Sequence, residues 1–497
     1  LKRYNRTTYN HRRRIMEVGF YETDITPSIG MERPASYYKI YIESIRDPLK
    51  VRAAVISDGK EKVALVGVDT GGLQSAECVA EARSKIEKFS GIKGSSVMIG
   101  ASHTHSGGPC HGPLPEEYKD APDLIKKLIE EYSIIPNVNY SQHIVNQIVT
   151  AVCEADRRRK KAVLSCGVGF EDKVAFNRRC KMRNGRVYTH PGKGNPDILG
   201  FAGPIDPDVG VLSAWDMDNK FLGCVVNYSC HGTTLWEGAS ADWIYFMEKT
   251  IRGVMGEDSV TVFLNGASGD VTQVNNLSLN ERESGERYSD FVGTRVGAEA
   301  VKVMAGAPKG DMSPVAYGQN FLKIKKRRPS PKRVAESRVI VEEGLKSKES
   351  KDADARWLFA KEILLTDYMI SKEPVATIEL QAIQVGGAIY LSNPGELFCQ
   401  LGLDIKEASE FPCTFVVEIA NGFNGYIPDE KSFTPQEGGY ETVLTLHSNL
   451  EITAGRQIVN GSIELSKMFK PGNIPALPKI KEPIPPWDYG MMGPDLE

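Results

Sequence analysis

Three of the chain's eight histidines fall within the nine residues from His103 to His111. His103 and His105 stand two apart behind the short apolar run Val97–Gly100, so at a strand end their side chains point the same way. Imidazole is the commonest metal ligand near neutral pH, and Ser106-Gly107-Gly108 lets the backbone turn tightly beside a ligand. A bare His-x-His is nonetheless more often a hydrogen-bonded pair than a metal site. Three further segments share its placement. His231, in Asn227–Thr234, follows the apolar strand Leu222–Val226, with a capped turn at Thr233 or Thr234 as the plainer reading. Val260–Leu264 leads into Asn265-Gly-Ala-Ser-Gly269-Asp270-Val-Thr272, whose backbone N–H groups can stabilise an oxyanion. Asp270, after a glycine, reads as a shaper of an Asx-type turn before it reads as a base. Asn393-Pro394-Gly395-Glu396 sets a carboxylate at a strand-to-helix corner, where helix N-terminal preference alone would also place one.

All four segments put a polar or metal-competent residue just past an apolar strand, where sites form in α/β sheets. Two histidines and a carboxylate make a zinc set with room left for water. The elements carrying them alternate. Strands at Val51–Ile56 and Val63–Val68 flank an Asp58-Gly59 turn, a helix spans 75–89, and a strand precedes His103. Helices follow at Leu124–Tyr132 and Gln142–Ala155, then strands at Ala162–Val168, Val211–Asp216 and Phe221–Tyr228. Charged helical segments at Val334–Leu345 and Ala353–Ile370 precede strands at Val375–Val385 and Ala388–Ser392. The expected fold class is α/β: layered mixed β-sheets flanked by helices, with the zinc site at strand C-terminal ends. One catalytic domain spans 16–468, between a basic extension at 1–15 and a proline-rich tail at 469–497.

The formal net charge of −3 gives no field to recruit nucleic acid or an anionic membrane. The basic run Lys323–Arg333 lacks the interleaved aromatics of a nucleic-acid surface and reads as a solvated strand or helix entry. No run approaches the roughly 18 apolar residues of a membrane span, so no integral membrane association is expected. Nine cysteines without a CxxC pair read as reduced thiols, and a cytoplasmic location is the expectation. The tail places seven prolines between Pro471 and Pro494 and must run extended. Its apolar anchors Ile474, Leu477, Ile484 and Trp487 suit docking on this subunit or on a neighbour in a homo-oligomer.

Taken together, the segments resemble the catalytic domain of the neutral/alkaline (non-lysosomal) ceramidase superfamily. The matching stretches are Val18-Gly-Phe with Thr23-Asp-Ile-Thr-Pro27, Ala101-Ser-His-Thr-His-Ser-Gly107, Asn177-Arg178 and Cys230-His231-Gly-Thr-Thr. Gly269-Asp-Val-Thr272, Pro394-Gly-Glu396 and Asn421-Gly-Phe-Asn-Gly-Tyr426 complete them. The resemblance implies a zinc hydrolase with one ion per chain, held by His103, His231, Glu396 and Tyr426. Tyrosine is a ligand that residue chemistry alone would not suggest. It also implies that His105 lines the substrate side and that Arg178 lies near the scissile carbonyl. Thr272 stands where the family carries a catalytic serine. Threonine keeps the hydroxyl but restricts χ1, which suits holding a water better than covalent attack. The family's ceramidases carry a further immunoglobulin-like domain, whereas a helical segment and the proline-rich tail follow Tyr426 here.

The expected reaction is attack of metal-activated water on an amide-like bond of a soluble small-molecule substrate. Arg178 and His105 orient the carbonyl, Thr272 on the Asp270 turn holds the water, and His105 protonates the leaving group. His111 and Trp236 are candidate substrate contacts, with a surface histidine and ordinary packing as the plainer readings. Three alternatives stay open: cleavage of the N-acyl bond of ceramide itself, zinc hydrolysis of an ester, lactone or glycoside, and a non-catalytic binding protein on the same scaffold. The sequence also leaves open a second, structural cation.

Overall fold

Two mixed β-sheets stack face to face and carry helices on their outer surfaces. The computed structural model describes residues 16–34, 36–73, 76–280, 283–346 and 354–497, so the basic extension at 1–15 lies outside the described residues. The larger sheet has eight strands, in the order Val260–Asn265, Phe221–Tyr228, Asp208–Asp216, Lys160–Phe170, Met16–Asp24, Lys50–Ser57, Lys62–Val68 and Val97–Ala101. Neighbours run antiparallel except the outermost pair at each end, which is parallel. The smaller sheet orders Val315–Lys325, Val375–Val385, Ala388–Ser392 and Cys413–Val417, its last pair parallel.

Both faces of the larger sheet are covered, so its strands are apolar almost throughout. Along Lys62–Val68 the period of two sends Val63 and Leu65 into the core between the sheets and Ala64, Val66 and Val68 to the helix side. There the helices Ala76–Ser90 and Val138–Arg157 present Val79, Ala82 and Ile86, and Ile144, Ile148 and Val152, at helical spacing. Trp243–Met255 and Glu286–Gly306 cover the other half of that face. Cys399–Ala408 and Ala454–Ser466 cover the smaller sheet. The α/β class with layered mixed sheets and flanking helices is the one observed.

The larger sheet curls until its two ends touch. A Cβ built on Gly67 would overlap the Phe263 carbonyl and lie 3.2 Å from the Phe263 amide nitrogen, so strand Val260–Asn265 rests directly on Lys62–Val68. Closure brings the C-terminal ends of Val97–Ala101, Phe221–Tyr228 and Val260–Asn265 together. Behind them Thr104 and Gly232 form a parallel bridge, with His105 N–H donating to the Gly232 carbonyl at 2.9 Å. Gly232 is required there, because a Cβ would meet the His103 carbonyl oxygen and Thr104 Cα at 2.9 Å.

The expected hairpin, the basic strand entry and the paired charged helices all appear, the last as Pro331–Lys346 and Ala355–Lys372. Glu286–Gly306 was not legible as a helix because glycines interrupt its apolar period. Those glycines are contact points: Cβ atoms at Gly293 and Gly297 would lie 2.6 Å from Phe246 Cβ and 2.8 Å from the Met247 carbonyl oxygen. Of the tail's anchors, Ile474 packs against the core between the sheets, whereas Leu477, Ile484 and Trp487 are exposed. No described helix is long and apolar enough to cross a membrane.

Candidate metal and active site

His103 leaves strand Val97–Ala101 in the left-handed region, at φ 62°, a conformation that strains a non-glycine residue. Its Nδ1 lies 2.6 Å from the Gly71 carbonyl oxygen. His231, fully buried past strand Phe221–Tyr228, sets Nδ1 against two carbonyl oxygens, Ser268 at 2.7 Å and Val271 at 3.1 Å. A carbonyl can only accept, so Nδ1 carries a proton on both rings, and each ring turns its Nε2 inward. The loop bearing Gly71 is itself held, since buried Asp69 accepts from Lys50 N–H at 2.9 Å and from Arg52 Nη1 at 2.7 Å.

Glu396 arrives from the other sheet. Its short strand Glu396–Leu397 pairs in parallel with Tyr426–Ile427, and Glu396 stands opposite Tyr426. Glu396 Oε2 is 3.3 Å from His103 Nε2 and 3.4 Å from His231 Nε2. One ligand nitrogen from each of His103, His105 and His231 lies within 4.8 Å of the others. Among the described residues, His103 Nε2, His105 Nε2 and Glu396 Oε2 are buried without a hydrogen-bond partner.

Electrostatics sharpen the picture. Burial, reinforced by His103 and Arg178, pushes His231 down to about 3, and burial with His103 and His231 holds His105 well below its ordinary value. Burial alone would raise Glu396, but its contacts with His103 and His231 outweigh burial and hold the carboxyl well below its ordinary value. Burial, then the Glu396 charge, raises the Tyr426 phenol well above its ordinary value, against the opposing pull of Arg178. Imidazole nitrogens turned inward beside one carboxylate are a donor set that fits zinc.

Arg178 flanks this cluster. Its Nε donates to Glu441 Oε1 at 2.6 Å, Nη2 donates to the Gly269 carbonyl at 2.9 Å, and Nη1 lies 3.3 Å from His231 Nε2. The guanidinium stands over the Tyr426 ring, 5.3 Å from its centroid. Asp270 spends both carboxylate oxygens on the scaffold, accepting from Asn177 Nδ2 at 2.7 Å and Cys399 N–H at 2.8 Å. Burial raises its carboxyl to about 6. Thr272 is buried, its Oγ1 accepts from Val274 N–H at 3.3 Å, and it does not line the cavity.

The cavity beside the histidines offers about 100 Å3 of room to water-sized molecules and opens to solvent. His103, His105, Glu396 and Tyr426 line one part of it. His111 lines it too, its ring against Phe423 and its Nδ1 unpartnered among the described residues. Trp236 is half-exposed and edge-on to His105, 6.5 Å between centroids, and is not part of the lining. Sequence reasoning missed Glu441, the orienting carbonyls of Gly71, Ser268 and Val271, and the cavity residues Tyr37, Lys361, Glu362, Tyr440 and His447. Only Lys361-Glu362 left a signal, as two charges inside the apolar run Phe359–Leu365.

Two solved structures share this architecture. A ceramidase solved as a complex with C2 matches with a TM-score of 0.67 and 17% sequence identity, over 94% of this chain and 77% of that one. The neutral ceramidase from Pseudomonas aeruginosa matches with a TM-score of 0.66 and 20% identity, over 94% of this chain and 76% of that one. The chain has the neutral ceramidase fold. No protein-family model and no curated protein matches the sequence. Within the ceramidase fold, the histidine cluster lies where the curled sheet closes.

Proposed function

We propose that the protein is a zinc-dependent hydrolase acting on an amide-like bond of a soluble small molecule. One observation carries the reading: unpartnered, buried donor atoms of His103, His105 and Glu396 converge with His231 beside a cavity that opens to solvent. His103, His231 and Glu396 would hold the ion, because the two rings are oriented by backbone carbonyls and Glu396 touches both. Tyr426, opposite Glu396 in register, is the fourth candidate ligand. A bound zinc ion would supply Lewis acidity, which lowers the pKa of water to about 7.

The chain's own residues do the rest. Arg178 is fixed on two sides by Glu441 and Gly269, and its Nη1, which lies 3.3 Å from His231 Nε2, would turn to the oxygen of the scissile carbonyl were that nitrogen committed to an ion. His105 Nε2 is buried with no hydrogen-bond partner among the described residues, so it is available to take a proton from the attacking water and pass it to the leaving nitrogen. Water oxygen bonds the carbonyl carbon, the carbon–nitrogen bond breaks, and the transferred proton completes the amine. Asp270 acts as a positioning residue, tying the Asn177-Arg178 segment to the helix that follows Glu396.

The amide bond is taken from the ceramidases that share the fold. The test is zinc content by mass spectrometry, alongside turnover of amide, ester and glycoside panels by wild type and His231→Ala. About one zinc per chain and amide turnover, both lost in His231→Ala, are expected. Turnover that survives the substitution, or wild type that takes up no zinc on dialysis, would overturn the reading.

A further inference from the structure

A second charged pair stands in the cavity wall, on a helix that carries none of the histidines. The helix Ala355–Lys372 contributes Lys361 and Glu362 to that wall, beside Tyr37 and Ser133. Both side chains are almost wholly inaccessible, at 1% and 4%. Lys361 spends its hydrogens on the protein: Nζ donates to the Tyr37 carbonyl at 2.5 Å, the Tyr132 carbonyl at 2.8 Å and Ser133 Oγ at 3.1 Å. An ammonium has three donors, so none remains for an incoming anion. Glu362 differs. Its Oε1 lies 3.3 Å from Lys361 Nζ, while Oε2 is buried with no hydrogen-bond partner among the described residues. A carboxylate oxygen left unpaired in a desolvated wall is costly, and a donor on a ligand would relieve that cost.

We infer that Glu362 is the specificity-determining residue for the far end of the substrate, selecting a group that donates hydrogen bonds, a hydroxyl or an ammonium, and rejecting a carboxylate. The inference rests on the proposed hydrolase reading for what happens at the other end of the molecule. The other lining residues suit such a ligand. Tyr37, Phe423, Tyr440 and His447 also line the cavity, and Tyr37 and Tyr440 are joined through their hydroxyls at 2.8 Å. Ring faces pack against the carbon skeleton of a polyol or against a cation. A purely alkyl chain would leave Glu362 Oε2 buried and unpaired, and a carboxylate would meet it with like charge.

Four N-acetyl amides test this: N-acetylputrescine, N-acetylglucosamine, N-acetyl-γ-aminobutyrate and N-pentylacetamide. Calorimetric binding and turnover are measured with the zinc-loaded full chain, its Glu362→Gln variant and the charge-keeping Glu362→Asp. In the wild type, putrescine or glucosamine amides should bind at least tenfold tighter than the pentyl amide, with the γ-aminobutyrate amide weakest. Putrescine alone identifies the ammonium, and glucosamine alone identifies the hydroxyl. Glu362→Gln should weaken the preferred probe tenfold or more and narrow the gap to the carboxylate. Glu362→Asp should keep the wild-type order, and it decides the matter if Glu362→Gln folds poorly. Binding with this order but no turnover of any probe refutes the hydrolase reading and leaves the inference standing. An unchanged order in Glu362→Gln, tightest binding of the alkyl or carboxylate probe, or no binding of either donor-bearing probe overturns the inference itself.

Discussion

Gly269 is the position where one added methyl group should separate the scaffold from the site. Its N–H donates to the Leu397 carbonyl at 2.9 Å and its own carbonyl accepts from Arg178 Nη2 at 2.9 Å. A Cβ there would stand 2.8 Å from the Glu396 carbonyl carbon and 3.0 Å from that of Leu397, and nearer still to the Glu396 oxygen. Non-bonded carbons settle at about 3.5–4.0 Å, so strand Glu396–Leu397 must retreat by roughly 1 Å. Metal ligation tolerates errors of about 0.2 Å, and disturbing the groups behind a ligand typically costs 10–100-fold in affinity. Overpacking itself costs about 1–3 kcal/mol. Gly269→Ala should therefore bind zinc at least tenfold more weakly while remaining folded, read by competition with a chromogenic chelator beside a urea denaturation curve. The control is Gly253→Ala in helix Trp243–Met255, where nothing lies within 4 Å of the new atom. It should keep wild-type zinc affinity and gain about 1 kcal/mol of stability from helix propensity. Wild-type affinity in Gly269→Ala would refute the placement of Glu396 against this glycine.

Removal of metal by a chelator should lower the melting temperature of the wild type, by about 2.7 kcal/mol of linkage at a hundredfold excess over Kd, and leave that of His103→Ala unmoved. Glu441→Gln takes the carboxylate from buried Arg178 and should destabilise the fold by about 3–5 kcal/mol in urea, with a larger loss in kcat than in substrate affinity. An equal effect of Glu441→Gln on both would speak against a positioned guanidinium. Buried Glu248 gives a pH prediction. Burial pushes its carboxyl up, but Arg52, Lys50 and Arg252 outweigh that and hold it at about 2, below its ordinary 4.5. Its contribution, about 3 kcal/mol, is then fully present above pH ~4.5 and lost as pH falls towards 2. Denaturation curves should show the gap between wild type and Glu248→Gln closing over that window, and a constant gap would refute the assignment.

What the sequence showed of this site, and what it hid, follows from where the information lies. His103, His105, His231 and Glu396 were legible because each is a chemically distinctive residue just past an apolar strand. The structure brings all four together. The strands themselves were legible to within a residue or two at Phe221–Tyr228 and Val375–Val385, since a period of two or a short apolar run is local. The orienting groups were not. The Gly71, Ser268 and Val271 carbonyls belong to the backbone, which every sequence has, so no residue type announces them. Glu441 sits in an irregular stretch with no period to interpret, 263 positions from the arginine that it holds. Lys361 and Glu362 resemble a solvated helix face until the helix is seen packed with that pair inward. The determinants that aim a ligand are thus carbonyls, glycines too crowded for a Cβ and carboxylates distant in the chain. Low sequence identity can leave all of these in place, which is why the geometry says more about this chain than its letters do.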